Sequence, residues 1–196
     1  MFITLQPLIL ASGSPRRKEF LKEAGLDFTI KTANVNEAVR DGESAPAYVE
    51  RMAGDKGMAV CLQESARWVL AADTIVVRDE QIMGKPRHEQ EACEMLLALS
   101  GRSHLVMTAF FVGNLSKNIK TLKTVTTEVV FSSFSPQTAL AYVKTGEPAD
   151  KAGAYGIQGK GTILVERING SYANVVGLPM TELIEVLLKY KIIDFR

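Results

Sequence analysis

The sequence predicts an α/β protein, on three observations. Apolar runs at residues 8–11, 27–31 and 68–77 alternate with stretches of helical periodicity, the pattern of βαβ units. Residues 104–112 and 121–131 are rich in β-branched and aromatic side chains. They join through the turn-forming stretch from Asn114 to Asn118, which reads as a long antiparallel hairpin. Finally, 196 residues with 46% hydrophobic and 23% charged side chains suffice for one sizeable core, or for one domain split into two lobes.

The elements follow in order. Leu8, Ile9 and Leu10 open a buried first strand, and residues 15–24 form a helix stopped by Gly25, with Phe20, Leu21 and Ala24 inward. Ser14 suits its N-cap and Pro15 its first position, where no N–H is needed. After the short strand at 27–31 comes a polar loop, Asn34-Val35-Asn36-Glu37 and then Asp41-Gly42-Glu43. Ser44 or Pro46 opens a second helix to about residue 63, whose inward stripe is Val49, Met52, Ala53, Lys56 and Val60. The strand at 68–77 turns through Arg78-Asp79-Glu80-Gln81 into a tight Gly84-Lys85-Pro86 loop, where Pro86 holds Lys85 extended. Residues 87–100 form a helix ended by Gly101, with Ala92, Leu96 and Leu99 inward. Beyond the long hairpin lie a helix at 136–145 stopped by Gly146, a glycine-rich loop at 150–161 and a strand at 162–168. Asn169-Gly170-Ser171 then turns the chain toward a closing amphipathic helix at 179–190.

Composition narrows the function. A net charge of +1 gives no global reason for a nucleic-acid partner, so any phosphate ligand must be met by a local cluster. Cys61 and Cys93 fall inside helices without metal-ligand spacing, which predicts reduced thiols and a cytoplasmic compartment. The first ten residues lack a basic leader and are broken by Gln6 and Pro7, and no apolar run is long enough to span a bilayer. A soluble protein without a membrane partner is expected.

Several residues carry candidate chemistry. Ala11-Ser12-Gly13-Ser14-Pro15-Arg16-Arg17 offers free N–H groups, two hydroxyls, a positive helix end and two guanidinium groups at one point. That is equipment for phosphate, though plain capping with solvated arginines fits the same residues. Lys56 on an inward stripe either snorkels to the surface or projects toward an anion. Asp73-Thr74 interrupts the apolar run Val69-Leu70-Ala71-Ala72 and Ile75-Val76-Val77. A carboxylate there is costly unless paired, hydrogen-bonded or metal-bound, so it points to a site; the plainer reading is a turn cap between two strands. His104, at the hairpin edge, is expected to be structural and bonded to backbone. The glycines of 150–161 permit close backbone approach to a planar ligand, though glycine-rich loops are also common without one.

Together with Gly-Lys-Pro at 84–86, Ser-Gly-Arg-Ser-His at 100–104, Asp-Lys-Ala-Gly-Ala-Tyr-Gly-Ile-Gln-Gly at 150–159 and Asn-Val-Val-Gly-Leu-Pro at 174–179, these motifs resemble the Maf family of nucleoside triphosphate pyrophosphatases. The resemblance runs in order from about residue 8 to 188. It implies a single domain over residues 1–196 with a central mixed, twisted sheet flanked by helices. The expected form is elongated and two-lobed around an active-site cleft, as in inosine-triphosphatase-like folds. It also implies hydrolysis of a nucleoside triphosphate to the monophosphate and pyrophosphate, a divalent metal (Mg²⁺ or Mn²⁺) and a homodimer. Thr74 and Gln158 resemble the subgroup acting on dTTP and UTP rather than the sister subgroup acting on 7-methyl-GTP.

The residue chemistry agrees with this resemblance. Arg16, Arg17, Lys56 and Lys85 are cations for a triphosphate, with Ser12 and Ser14 beside them. Asp73 matches the aspartate that accepts the proton of the attacking water, and Glu37 with Asp73 suits a magnesium site. Arg16, Thr74 and Gln158 match the family's specificity positions, and Gln158 has the donor and acceptor that a thymine or uracil edge requires. A non-catalytic nucleotide- or nucleic-acid-binding regulator of septum formation is the rival reading.

Overall fold

The computed structural model describes residues 1–196 and resolves the alternation into nine strands and six helices. In chain order these are β1 (Phe2–Thr4), β2 (Leu8–Leu10), α1 (Pro15–Glu23), β3 (Thr29–Ile30), α2 (Ala45–Cys61), β4 (Trp68–Arg78), β5 (Gln81–Met83) and α3 (Glu89–Leu99). There follow β6 (Ser103–Asn114), β7 (Ile119–Phe131) and α4 (Pro136–Val143), then three 3₁₀ turns at Glu147–Asp150, Ala152–Ala154 and Gly159–Leu164. The chain closes with β8 (Val165–Asn169), α5 (Tyr172–Val176), α6 (Met180–Lys189) and β9 (Ile193–Phe195). Seven strands make one mixed sheet in the order β3-β2-β4-β6-β7-β8, with β5 antiparallel to the end of β4. The expected α/β class with a central mixed sheet is thus what the chain forms.

The chain divides into two compact units. The first is Met1–Asp73, Thr108–Val125 and Gly177–Arg196; the second is Thr74–Met107 and Thr126–Val176. In the first unit β2 lies parallel to both β3 and β4, with Ile9 opposite Val69. Leu8, Leu10, Trp68, Leu70 and Ala72 pack with Leu21 of α1 and with Leu183 and Leu187 of α6. The alternate residues Ile9, Ala11, Val69 and Ala71 pack with Val60 and Cys61 of α2. Burial on both faces explains why these strands read as unbroken apolar runs. Burying Val69 and Leu70 contributes roughly 1.5–3 kcal/mol each, and a one-residue slip would turn each toward the wrong face, so the position of Asp73 is fixed by its neighbours.

In the second unit, Val76 of β4 packs with Ala92, Leu96 and Leu99 of α3, Phe131 of β7, and Ala139 and Tyr142 of α4. Asp79 and Glu80 take φ of 49° and 64°, which closes the β4–β5 hairpin in two left-handed residues.

Several expectations are revised. β4 runs unbroken from Trp68 to Arg78, so Asp73 is no turn cap. Ser14 occupies the N-cap position of α1, but its side chain makes no capping bond. The strand expected at 27–31 shortens to Thr29–Ile30, and the strand expected from 162 starts at Val165 because the preceding residues close a 3₁₀ turn. β1, β9 and α5 have no counterpart among the expected elements. β1 and β9 pair only with each other, Ile3 opposite Asp194, and that partnership spans nearly the whole chain. α5 has five residues, too few to show a period.

Candidate active site

Asp73 marks the point where the cover of β4 opens: the five residues before it and the three after Thr74 are buried, whereas Asp73 and Thr74 are half-buried. Lys56 Nζ lies 2.7 Å from Asp73 Oδ1 and 2.7 Å from Glu37 Oε1, so one ammonium joins both carboxylates. The lysine side chain is 19% exposed, Asp73 15% and Glu37 58%, which grades the cluster from interior to solvent. Lys56 therefore does not snorkel. Its helix is pressed in at the next residue: a Cβ on Gly57 would sit 2.1 Å from the Phe111 ring, so only glycine lets α2 lie this close to β6. Burial works against the Lys56 ammonium, but the charge and hydrogen bonds of Asp73 and Glu37 outweigh it and raise its pKa. The lysine stays charged across the neutral range.

Glu37 belongs to an exposed loop that carries no structural signal in the sequence. Two residues of α2 hold it. Tyr48 Oη donates to the Glu37 carbonyl at 2.9 Å, and Arg51 donates to the Ala38 carbonyl at 2.9 Å. Arg51 also grips both carboxylate oxygens of Glu43, from Nε at 2.5 Å and Nη2 at 2.6 Å, and these bonds hold the Glu43 carboxyl down to about 2. Sequence reasoning misses Tyr48 and Arg51; one turn apart on α2, opposite a polar loop, their spacing is the available signal.

The turn at residues 11–17 is built around Ser12. Its Oγ accepts from the Ser14 N–H at 3.2 Å and from Arg17 Nη1 at 3.0 Å, while Arg17 Nε donates to the Gly177 carbonyl at 2.8 Å. Ser12 and Arg17 thus shape the turn from inside. Burial lowers the Arg17 pKa to about 10, with the nearby Asp73 charge working the other way, and the guanidinium remains charged. Ser14 and Arg16 are half-buried on the same turn. α2, α3 and α4 are capped by Ser44, His88 and Ser135, whereas no side chain caps α1 or the closing helix α6. In this unit Ser12, Ser14, Arg16 and Arg17 share one turn, and Glu37, Lys56 and Asp73 share one cluster.

The second unit carries Thr74, Lys85 and Gln158. Thr74 follows Asp73 on β4, and Lys85 is exposed on the β5–α3 loop, where the Gly84 carbonyl accepts from the Gly153 N–H at 3.0 Å. Gln158 is half-buried just before the 3₁₀ turn Gly159–Leu164. Two further residues of this loop's surroundings, Tyr142 and Glu147, escape a reading of the sequence. Tyr142 Oη donates to Glu147 Oε1 at 2.8 Å, and Glu147 accepts main-chain N–H groups of Lys160 and Gly161. His104 is buried, as a structural role requires, but its partner is a side chain: Nε2 lies 2.7 Å from Tyr155 Oη. Burial pushes the imidazole down to about 4, which keeps it neutral.

No cluster of three or more His, Cys, Asp or Glu side chains forms a ready metal cage. The oxygen donors at hand are the Asp73 and Glu37 pair.

A family model described as Maf-like protein matches residues 7–190. The chain belongs to the Maf family. A protein of Desulfotalea psychrophila named dTTP/UTP pyrophosphatase is 53% identical over 189 residues, 96% of this chain and 97% of that one. A Vibrio cholerae protein of the same name is 47% identical, covering 96% of this chain and 100% of its own. Among solved structures, the Staphylococcus aureus Ham1 protein matches 95% of this Maf chain and 100% of its own with a TM-score of 0.56. At 12% identity that likeness concerns the fold alone. No helix of this family member is long and apolar enough to cross a membrane.

Proposed function

We propose that this chain hydrolyses dTTP and UTP to the monophosphate and pyrophosphate. The observation that carries the reading is the Lys56 ammonium bonded to both Asp73 and Glu37 at the one opening in a buried strand, in a chain whose relatives bear the name dTTP/UTP pyrophosphatase. Charged groups concentrated where apolar packing is interrupted are costly to desolvate even when paired, and such clusters gather at functional sites.

In this reading Asp73 accepts a proton from a water whose oxygen attacks the α-phosphorus, and the bond from that phosphorus to the oxygen bridging to the β-phosphate breaks. Lys56 orients the Asp73 carboxylate and neutralises charge near the phosphates, with Arg16 and Lys85 as further phosphate cations. The uncapped N-terminus of α1, with Ser12 and Ser14, offers a positive end to a phosphate, and Arg17 holds that turn in shape. Glu37 and Asp73 would hold Mg²⁺ or Mn²⁺. Two carboxylates without a third fit a cation that takes its remaining ligands from water and substrate phosphates, and such an ion supplies charge neutralisation for departing pyrophosphate. Gln158 meets the O4/N3 edge of the pyrimidine, and Thr74 and Arg16 complete the specificity set. The two free cysteines fit a cytoplasmic enzyme, which we take to act as a homodimer. The regulator reading is not favoured, because it leaves the Lys56–Asp73 pair without a task.

The test is pyrophosphate release from dNTPs, NTPs and 7-methyl-GTP with Mg²⁺ or Mn²⁺ and with EDTA. Metal-dependent turnover of dTTP and UTP is expected. Turnover of 7-methyl-GTP alone would overturn the roles of Thr74 and Gln158. Nucleotide binding without turnover of any substrate would sink the enzyme reading.

A further inference from the structure

The loop around Gln158 is clamped on both sides by two residues that lie well before it in sequence. The Gly156 N–H, two positions before Gln158, donates to Tyr142 Oη at 3.1 Å. The Lys160 N–H, two positions after, donates to Glu147 Oε2 at 3.0 Å, and the Gly161 N–H donates to Glu147 Oε1 at 3.2 Å. Tyr142 Oη in turn donates to Glu147 Oε1 at 2.8 Å, which joins the two halves of the clamp. Tyr142 is itself anchored: it is 3% exposed and sits in the core with Leu96, Phe131 and Ala139. Thr162 Oγ1 closes the loop from below, 3.0 Å from the Ile157 carbonyl and 2.7 Å from that of Gly159.

The glycines of this motif make room for the clamp. A Cβ on Gly161 would lie 2.1 Å from the Gly156 carbonyl and 2.7 Å from Tyr142 Oη. One on Gly159, where φ is +67°, would lie 2.9 Å from Glu147 Oε2. At these two positions the passage of the chain around Tyr142 and Glu147 accounts for the glycine.

We propose that Tyr142 and Glu147 are positioning residues for base selection, holding the Gln158 main chain so that its amide meets one pyrimidine edge and not another. The proposal rests on the reading of Gln158 as the residue that meets the base. A two-point hydrogen-bond match to a planar edge needs the amide held to within about 0.5 Å, and a fixed main chain at Gln158 restricts where that amide can reach. Five hydrogen-bonding contacts from Tyr142, Glu147 and Thr162, to residues before and after Gln158, supply that constraint.

The experiment compares kcat/KM for UTP and CTP in four variants: Gln158→Ala, Tyr142→Phe, Glu147→Gln and the Tyr142→Phe/Gln158→Ala double. Thermal unfolding reports which are folded. Tyr142→Phe keeps the buried ring and removes only the hydroxyl; Glu147→Gln keeps size and removes one acceptor. The expected result is a UTP-over-CTP ratio reduced about tenfold in Tyr142→Phe, mainly through KM for UTP, and by a similar factor in Glu147→Gln. The double variant should be no less selective than Gln158→Ala alone, since the clamp acts through Gln158. If Gln158→Ala collapses the ratio while a folded Tyr142→Phe or Glu147→Gln keeps it, the clamp has no part in selection. Additive losses in the double variant overturn the proposal equally. If instead Gln158→Ala keeps the ratio, the base-reading role of Gln158 falls first.

Discussion

The two loops that carry Glu37 and Gln158 are held by opposite means. Residues 37–42 are all exposed, and their loop is tied to α2 through the Arg51–Glu43 ion pair and through carbonyls taken by Arg51 and Tyr48. Residues 156–161 are held through a buried tyrosine hydroxyl and a carboxylate that accepts main-chain N–H groups. The first device is a two-point ion pair, its side chains 12% and 9% exposed, at the foot of a loop that is otherwise in solvent. The second is short-ranged and fixed by the core behind it. The difference matches the two tasks proposed for these loops. Attraction between a carboxylate, an ammonium, a cation and a polyphosphate falls off gradually with distance, and the first loop's task is to bring the Glu37 carboxylate to Lys56. Discrimination between pyrimidine edges depends on hydrogen bonds, which weaken steeply with misalignment.

The largest effect that bears on this contrast belongs to Asp73. Asp73→Asn keeps the size of the side chain and removes its basicity, and the loss of a general base costs on the order of 10³-fold in kcat. The loss should be equal for dTTP and UTP, and equilibrium dialysis should show both nucleotides still bound. A variant that turns over at near wild-type rate would detach the chemistry from the Lys56 cluster altogether.

Loosening the first loop should cost less. Arg51→Ala removes the grip on Glu43 and Ala38 and lets Glu37 drift, for which about a tenfold fall in kcat/KM is expected, given that a misplacement of about 1 Å can cost roughly 10²-fold. The UTP-over-CTP ratio should stay at its wild-type value. A changed ratio in Arg51→Ala would mean that the two loops are not separate in function.

How much of this is legible in the sequence depends on whether the signal is local. The apolar runs of β2 and β4, the stripe of α2 and the break at Asp73 are written in adjacent residues, and on their own they point to Asp73 and place Lys56 on an inward face. Whether Lys56 snorkels is undecidable locally; the answer lies with Asp73 and Glu37, 17 residues after it and 19 before. Arg51, Tyr48, Tyr142 and Glu147 are invisible for a related reason. Each acts on main-chain groups of a loop, and main-chain groups carry no sequence signature. Gly159 and Gly161 are visible, but residue by residue their openness suggests a ligand, whereas Glu147 and Tyr142 fill it. β1 and β9 lie at opposite ends of the chain, where local pattern has no reach.

The smallest expected effect separates the two loops by pH. Burial disfavours the Glu147 carboxylate, yet the hydrogen bonds from Lys160, Tyr142 and Gly161 outweigh that and leave its pKa below the ordinary 4.5. A carboxyl depressed in the fold contributes stability that is fully present above 4.5 and lost as pH falls through its folded value. At neutral pH, Glu147→Gln should therefore unfold at a lower temperature than the wild type, by about 2–4 °C if the net loss is one ordinary hydrogen bond. As pH drops below 4.5 the gap should close, because the wild type loses what the variant never had. Loss of base selectivity in the wild type should follow the same titration, since a protonated Glu147 accepts fewer main-chain bonds. Arg51→Ala shows the contrast. Its partner Glu43 is held down to about 2, so the first loop keeps its ion pair through the range where the second loosens. A gap for Glu147→Gln that stays constant from neutral to acid pH would mean that the carboxylate charge does not hold the loop, and the neutral shape of the side chain would have to do so.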